Sequence, residues 1–165
     1  MLPYTARRTD DRGFSMFEIA IVLMIVGILA VIAVPSFISM FNKNKVSDAL
    51  TQVRGALQEA QREAIRQSKT CTVTVPKGND KTITGTCLPT GDRKLTDINI
   101  DYTKTAPWTI TFDFKGRTND VNSSGTIKLA SANGSTSEIK CLVISQGLGI
   151  IRTGNYIGSN CESSR

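Results

Sequence analysis

Gly13-Phe14-Ser15-Met16-Phe17-Glu18 runs straight into IAIVLMIVGILAVIAV, residues 19–34. Those sixteen residues hold no charge and no hydrogen-bonding side chain, and the 21 residues from Phe14 carry one charge, Glu18. At about 1.5 Å per residue, such a helix covers roughly 30 Å, the thickness of a bilayer's hydrocarbon. The run therefore predicts a membrane-spanning helix. Arg7, Arg8 and Arg12 precede it. Positive charge ahead of an apolar helix keeps the N-terminus in the cytoplasm and sends the rest across. A secretory signal peptide and a plain anchor compete with this view. The run is long for a signal peptide, and no A-x-A-like site follows it. Neither alternative explains Glu18. A carboxylate costs about 2.5–3.5 kcal/mol at the centre of a membrane helix, and less near an interface.

The segment Gly13 to Glu18, with the apolar run behind it, resembles the class III signal of type IV prepilins. The resemblance implies that a prepilin peptidase cleaves between Gly13 and Phe14 and methylates the Phe14 amine. It places the family's glutamate at Glu18, fifth in the mature chain, and the helix-bending proline at Pro35. Each position also has a physical reading. Gly13 lets its backbone approach an enzyme closely. Cleavage exposes a cationic amine on Phe14 beside lipid. A lone buried amine and a lone buried carboxylate are both unfavourable, and pairing relieves both. Glu18 paired with the Phe14 amine of a neighbouring subunit would reward assembly and set its axial register. Glu18 also lies where the helix dipole favours negative charge.

Pro35 cannot donate to the helix ladder, so a kink is expected there; a helix end at about 35 is the competing view. The helical pattern resumes at once. Val46, Ala49, Leu50, Val53, Leu57, Ala60 and Ala64 recur at three- and four-residue steps, one face of an amphipathic helix. Lys43, Lys45, Arg54, Arg62 and Arg66 lie mostly off that stripe, and Glu59 with Glu63 is expected on the solvated face. A helix from Phe14 to about Ser68 would be about 80 Å long. Gly27 would permit close helix contact in a packed fibre.

Beyond Ser68 alternation replaces the helical period. Cys71–Val75 and Lys81–Gly85 flank a Pro76–Asp80 turn, a hairpin pattern. Trp108, Ile110, Phe112 and Phe114 alternate with polar residues, as in a half-buried strand. Gly125–Ala130, Glu138–Ser145 and Leu148–Thr153 predict three more strands, and Ile98, Ile100 and Tyr102 a weaker one. The expected fold is α+β: a long N-terminal helix, half membrane-spanning and half amphipathic, packed on an antiparallel sheet. The expected organisation is a leader over 1–13, a membrane and filament-core helix over 14–41, and a head over 42–165. Within that head, the helix occupies 42–68 and the sheet 69–165.

The whole chain has 165 residues, 40% hydrophobic and 21% charged, with a net charge of +6. It contains no histidine. Ser-His-Asp and Cys-His mechanisms are thereby excluded, and the commonest metal ligand is absent. With no clustered carboxylates and no phosphate-binding glycine loop, no enzyme activity, cofactor or metal is expected. Cys71, Cys87, Cys141 and Cys161 contain no C-x-x-C spacing, and their even number fits two disulfides in an oxidising compartment. Four cysteines allow three pairings. Cys71–Cys87, stapling the hairpin, and Cys141–Cys161, tying down the tail, is preferred.

The order of QEAQREAIRQ (58–67), Phe114–Arg117, Thr126–Leu129, Leu142–Ser145 and Gly149–Arg152 is similar to the head of FimT/FimU minor pilins and H-type pseudopilins (GspH). The resemblance implies a pilin fold and a minor pilin of a type IV pilus, serving motility, adhesion or DNA uptake. The alternative is a pseudopilin of a type II secretion system. Implied partners are the prepilin peptidase, other pilin or pseudopilin subunits, and an inner-membrane assembly platform. The implied location is the bacterial inner membrane before assembly, as a single pass with a cytoplasmic N-terminus, and the periplasm or cell surface afterwards. DNA is a further candidate partner. FimT-type minor pilins associate it with Gly-Arg-x-Arg, of which Gly149-Ile150-Ile151-Arg152 keeps only the last arginine. Arg152, Lys140, Lys128, Arg117 and Arg165 are the candidate contacts, with Tyr156 available to stack on a base.

Overall fold

The structure, a computed structural model, describes residues 13–163. The leader before Gly13 and the candidate contact Arg165 lie outside the described residues. The chain falls into two compact units that divide between Ile38 and Ser39.

Helix α1 is Met16–Gln67. In the first unit it is the apolar run itself. A helix satisfies every backbone group within one segment, which an apolar environment demands. All residues from 13 to 38 are exposed. Pro35 lies inside α1, so it does not end the helix.

In the second unit α1 buries Val46, Ala49, Val53, Ala56, Leu57, Ala60 and Ala64 along one stripe. The small alanines let the sheets approach closely, while Val53 and Leu57 fill the space between. A left-handed residue, Ser68 (φ 52°), ends the helix. Its N–H donates to Ile65 O, and Lys69 N–H donates to Ala64 O at 3.1 Å. This pair of bonds is a Schellman cap, with serine in the place glycine usually takes.

Among the described residues ten strands follow: β1 Cys71–Val75, β2 Gly78–Asn79, β3 Thr82–Gly85, β4 Arg93–Lys94, β5 Ile98–Tyr102, β6 Trp108–Phe112, β7 Gly125–Ser131, β8 Lys140–Ile144, β9 Ile151–Ile157 and β10 Asn160–Ser163. They form two antiparallel sheets, ordered β4-β3-β1-β6 and β10-β9-β8-β7-β5-β2. In β1, β5 and β6 alternate residues point inward, as period-2 sequences require. One core joins the α1 stripe to inner faces of both sheets, including Val73, Ile100, Ile110, Phe112, Leu129 and Leu142. Tyr102 links the sheets: its buried hydroxyl donates to Val75 O at 2.8 Å and accepts from Trp108 N–H at 3.2 Å.

Disulfides join Cys71 to Cys87 and Cys141 to Cys161. The second spans β8 to β10 with a Cα separation of 5.8 Å, although β9 lies between them. Two strand spacings on a flat sheet are about 9.5 Å, so β10 curls back over β9. Gly154, paired with Cys141 on one side and Ser163 on the other, is buried there and offers no side chain to obstruct the bridge.

Several sequence expectations need correction. The head has two antiparallel sheets rather than one: β6 turns away from β5 to pair with β1, while β5 pairs with β7 and with Gly78–Asn79 from the β1–β3 connection. The strand expected over Leu148–Thr153 begins at Ile151 and continues to Ile157. Gly147 (φ 83°) and Gly149 (φ 64°) turn the backbone before it. Phe114 is not an inward strand residue: β6 stops at Phe112, and Phe114 is 53% exposed. Glu63 is buried rather than solvated, and Glu59 lies in an ion pair.

Candidate functional site

The N-terminal candidates lie together at the start of α1. Gly13, Phe14 and Ser15 precede the helix, whose first turn holds Glu18. Ser15 O accepts the Ile19 N–H at 3.2 Å. The unpaired N–H groups of a helix start carry partial positive charge, which favours the Glu18 carboxylate. Phe14 is 77% exposed, and no residue from Gly13 to Phe41 is buried. By length and composition this helix is long and apolar enough to cross a membrane. Gly13 and Gly27 have no atom within 4 Å of where a Cβ would sit. Neither glycine is therefore required by packing within the described chain.

The candidate DNA contacts do not form one cationic surface. Lys128 Nζ lies 3.7 Å from Asp101 and 4.5 Å from the Tyr156 ring centre. Lys140 pairs with Glu138 and donates to Asn155 Oδ1 at 2.7 Å. Arg117 is bound to Asp113 at 2.9 Å. Arg152 stands exposed on β9, opposite Val143, with no carboxylate partner among the described residues. Hydrogen bonding by Lys77 holds the Asp101 carboxyl below its ordinary value. Among the described residues no cluster of three or more His, Cys, Asp or Glu is placed to hold a metal ion.

Three features of the head escaped the sequence. Asp113 organises the loop after β6: it accepts the N–H groups of Lys115 and Arg117, the Arg117 guanidinium and the Asn119 amide. The Arg117 backbone bond is the main reason its carboxyl lies below the usual range. Asp113-Phe-Lys-Gly116 carries the Asp-first, Gly-fourth signature of a type I turn, which could have flagged it. Gln61 Nε2 donates to Gly116 O at 2.6 Å and Gly149 O at 3.2 Å, tying two distant loops to α1. No local pattern announces that contact. Glu59 accepts from Thr90 and Arg93. Burial pushes its carboxyl up, and those bonds outweigh burial and hold it low.

Residues 8–34 match the prokaryotic N-terminal methylation motif. The type IV major pilin protein PilA of Myxococcus xanthus (strain DK1622) is 46% identical over 52 residues. That match covers 32% of this chain and 23% of PilA, so the chain spans about a quarter of that relative's length. The crystal structure of the type IV minor pilin FimU from Pseudomonas aeruginosa (strain PAO1) superposes with a TM-score of 0.53 at 18% identity. The superposition covers 74% of this chain and 96% of FimU. The chain is type IV pilin-like. In this pilin-like chain the methylation motif contains Gly13, Phe14 and Glu18, while the FimU likeness shows the fold.

Proposed function

We propose that the chain is a structural subunit, of minor-pilin type, of a type IV pilus-like fibre. In this proposal it is held in the inner membrane by α1 until a prepilin peptidase removes the leader at Gly13–Phe14 and an assembly platform inserts it. The carrying observation is the exposed stretch from Phe14 to Phe41, whose one charge is Glu18 in the first turn of α1. Such a surface is stable in lipid or against other apolar helices, and not in water. A carboxylate at its end, beside the new amine of Phe14, gives the helices a register when lipid is exchanged for neighbours. Likeness of the fold to FimU supports the minor-pilin type. The proposal stops at assembly. Of the candidate DNA contacts among the described residues, Lys128, Lys140 and Arg117 are paired to carboxylates and Arg152 is not.

The test is Glu18→Ala in cells, with cleavage followed by intact mass and incorporation followed in sheared fibres or isolated pilin complexes. Normal cleavage with loss of incorporation is expected. Normal incorporation would remove Glu18 from the assembly mechanism.

A further inference from the structure

The two disulfides of the head differ in what can reach them. Cys71 is wholly buried at the start of β1, and Cys87 is 6% exposed. Cys141 is also wholly buried, on the interior strand β8. Cys161 is half-buried on the edge strand β10, and it lines an open groove with Thr126, Lys128, Val143 and Tyr156. The volume of that groove, about 510 Å³, is that of a small-molecule pocket. Thiol–disulfide exchange needs a thiolate to reach a sulfur, so access decides which bridge opens and at which of its two atoms. Here access selects Cys161.

The charges around this bridge favour the same step. Lys128 stands directly opposite Cys141 in the β7–β8 ladder, and Tyr156 directly opposite Cys161 in the β9–β10 ladder. Side chains so paired have Cβ atoms about 5 Å apart. The Lys128 ammonium lies 4.5 Å from the centre of the Tyr156 ring, so it reaches from one half of the bridge towards the other. Asp101 holds it loosely, at 3.7 Å, because the same carboxylate is 2.8 Å from Lys77. Arg152 falls on the same face of β9 as Tyr156 and adds a cation with no carboxylate partner among the described residues. Glu162, next to Cys161 in the chain, alternates to the opposite face. A thiolate approaching Cys161 and a thiolate left on Cys141 therefore both meet positive charge.

The other bridge lacks both properties. Cys87 borders a hollow with Thr86, Leu88 and Pro89, whose charged lining residue is Glu63. A carboxylate repels an incoming thiolate, and the pairing of Glu63 with Arg66 weakens that repulsion without reversing it. Cys71 stands opposite Phe112 in the core. A thiolate left there would be buried among apolar side chains, which is unfavourable.

We infer that Cys161 is the head's site of thiol–disulfide exchange, with Lys128 stabilising the thiolates on either side of the step. The thiolate of a low-molecular-weight thiol bonds to Cys161 Sγ. The Cys141–Cys161 bond breaks, and its electron pair leaves on Cys141 Sγ, which takes a proton from water. The product is a mixed disulfide at Cys161 and a thiol at Cys141, and no further oxidant or reductant is consumed. Attack by the Cys141 thiolate on Cys161 Sγ expels the thiol and restores the bridge. In the opened form β10 keeps its ladder with β9 and loses its tie to β8. Nothing in this step depends on fibre assembly.

The test uses the oxidised full chain in isolated membranes, without denaturant. Excess dithiothreitol is applied for increasing times, and freed cysteines are trapped by acid, alkylated and located by peptide mass. Cys141 and Cys161 are expected to open while Cys71 and Cys87 stay linked. Opening of Cys71–Cys87 first, of both bridges together, or of neither overturns the selectivity. In a second arm glutathione replaces dithiothreitol and should be found on Cys161, with Cys141 alkylated. Glutathione on Cys141, or on neither, overturns Cys161 as the attacked sulfur. Lys128→Met should slow opening by dithiothreitol severalfold and reduce its dependence on salt, which screens the attraction. Lys128→Arg should restore the rate, and a retained Cys71–Cys87 bridge reports that each variant folds. An unchanged or faster rate in Lys128→Met overturns the part given to the lysine. A Lys128→Arg rate as slow as that of Lys128→Met would make the effect one of packing and overturn it equally.

Discussion

Gly13 has open space around its Cα, so a side chain there disturbs nothing in the described chain. Gly13→Val should therefore leave the fold intact and act only on processing. Intact mass of the membrane fraction is expected to show the 13-residue leader retained; a chain still starting at Phe14 would dissociate Gly13 from cleavage. Glu63 shows the opposite case, a charge whose role lies inside the fold. It sits on the buried face of α1, and hydrogen bonds from Arg66, then Gln67, lower its carboxyl to about 2 from an ordinary 4.5. With the folded value below the unfolded one, its stabilisation is complete above pH about 4.5 and fades as pH falls towards 2. Glu63→Gln should flatten the fall of Tm across that window. An unchanged acid slope would mean other carboxylates carry it. The sequence pattern put Glu63 with Glu59 on the solvated face. Helical spacing gives a residue's azimuth only to within the width of the stripe, and Glu63 falls at its margin beside Ala60 and Ala64.

Elements were legible where one periodicity governs an uninterrupted stretch. The apolar run and the 46–64 stripe both lie in α1, and the alternating residues of Cys71–Val75 and Trp108–Phe112 form β1 and β6. Legibility failed where the backbone changes direction. Leu148 and Ile150 look like strand residues because they are apolar at alternate positions, but positive φ at Gly147 and Gly149 takes them out of the ladder. Phe114 is lost from β6 because Asp113 gathers the following N–H groups into a turn. The link between sheets was equally silent, since nothing local marks Tyr102 as a bridge. Tyr102→Phe should destabilise the head by about 1–3 kcal/mol, the usual effect of leaving buried backbone groups without a partner. Trp108 reports this directly: it is the chain's one tryptophan, and its ring centre lies 5.4 Å from that of Tyr102. A urea midpoint by tryptophan fluorescence that matches the parent would show that water replaces the hydroxyl without loss.

At the scale of the whole molecule, long-range closure is what the sequence hid. Four cysteines permit three pairings, and the preferred one is the one present. The curl that brings Cys161 back to Cys141 across Gly154 has no counterpart in any alternation. That curl sets the load path for a chain under tension. A terminal edge strand pulled from its free end unzips one hydrogen bond at a time. Here the Cys141–Cys161 bond passes the pull to β8, an interior strand flanked by β7 and β9, so the β9–β10 hairpin is shielded and the central ladders must shear together. Force spectroscopy through the C-terminus should find the segment between the cysteines, a sequence separation of 20, inextensible. Reductant should add about 70 Å of contour length at low force, at roughly 3.5 Å per residue. Equal extension with and without reductant would place the mechanical weak point elsewhere, and leave the terminal hairpin no tougher than an ordinary sheet edge.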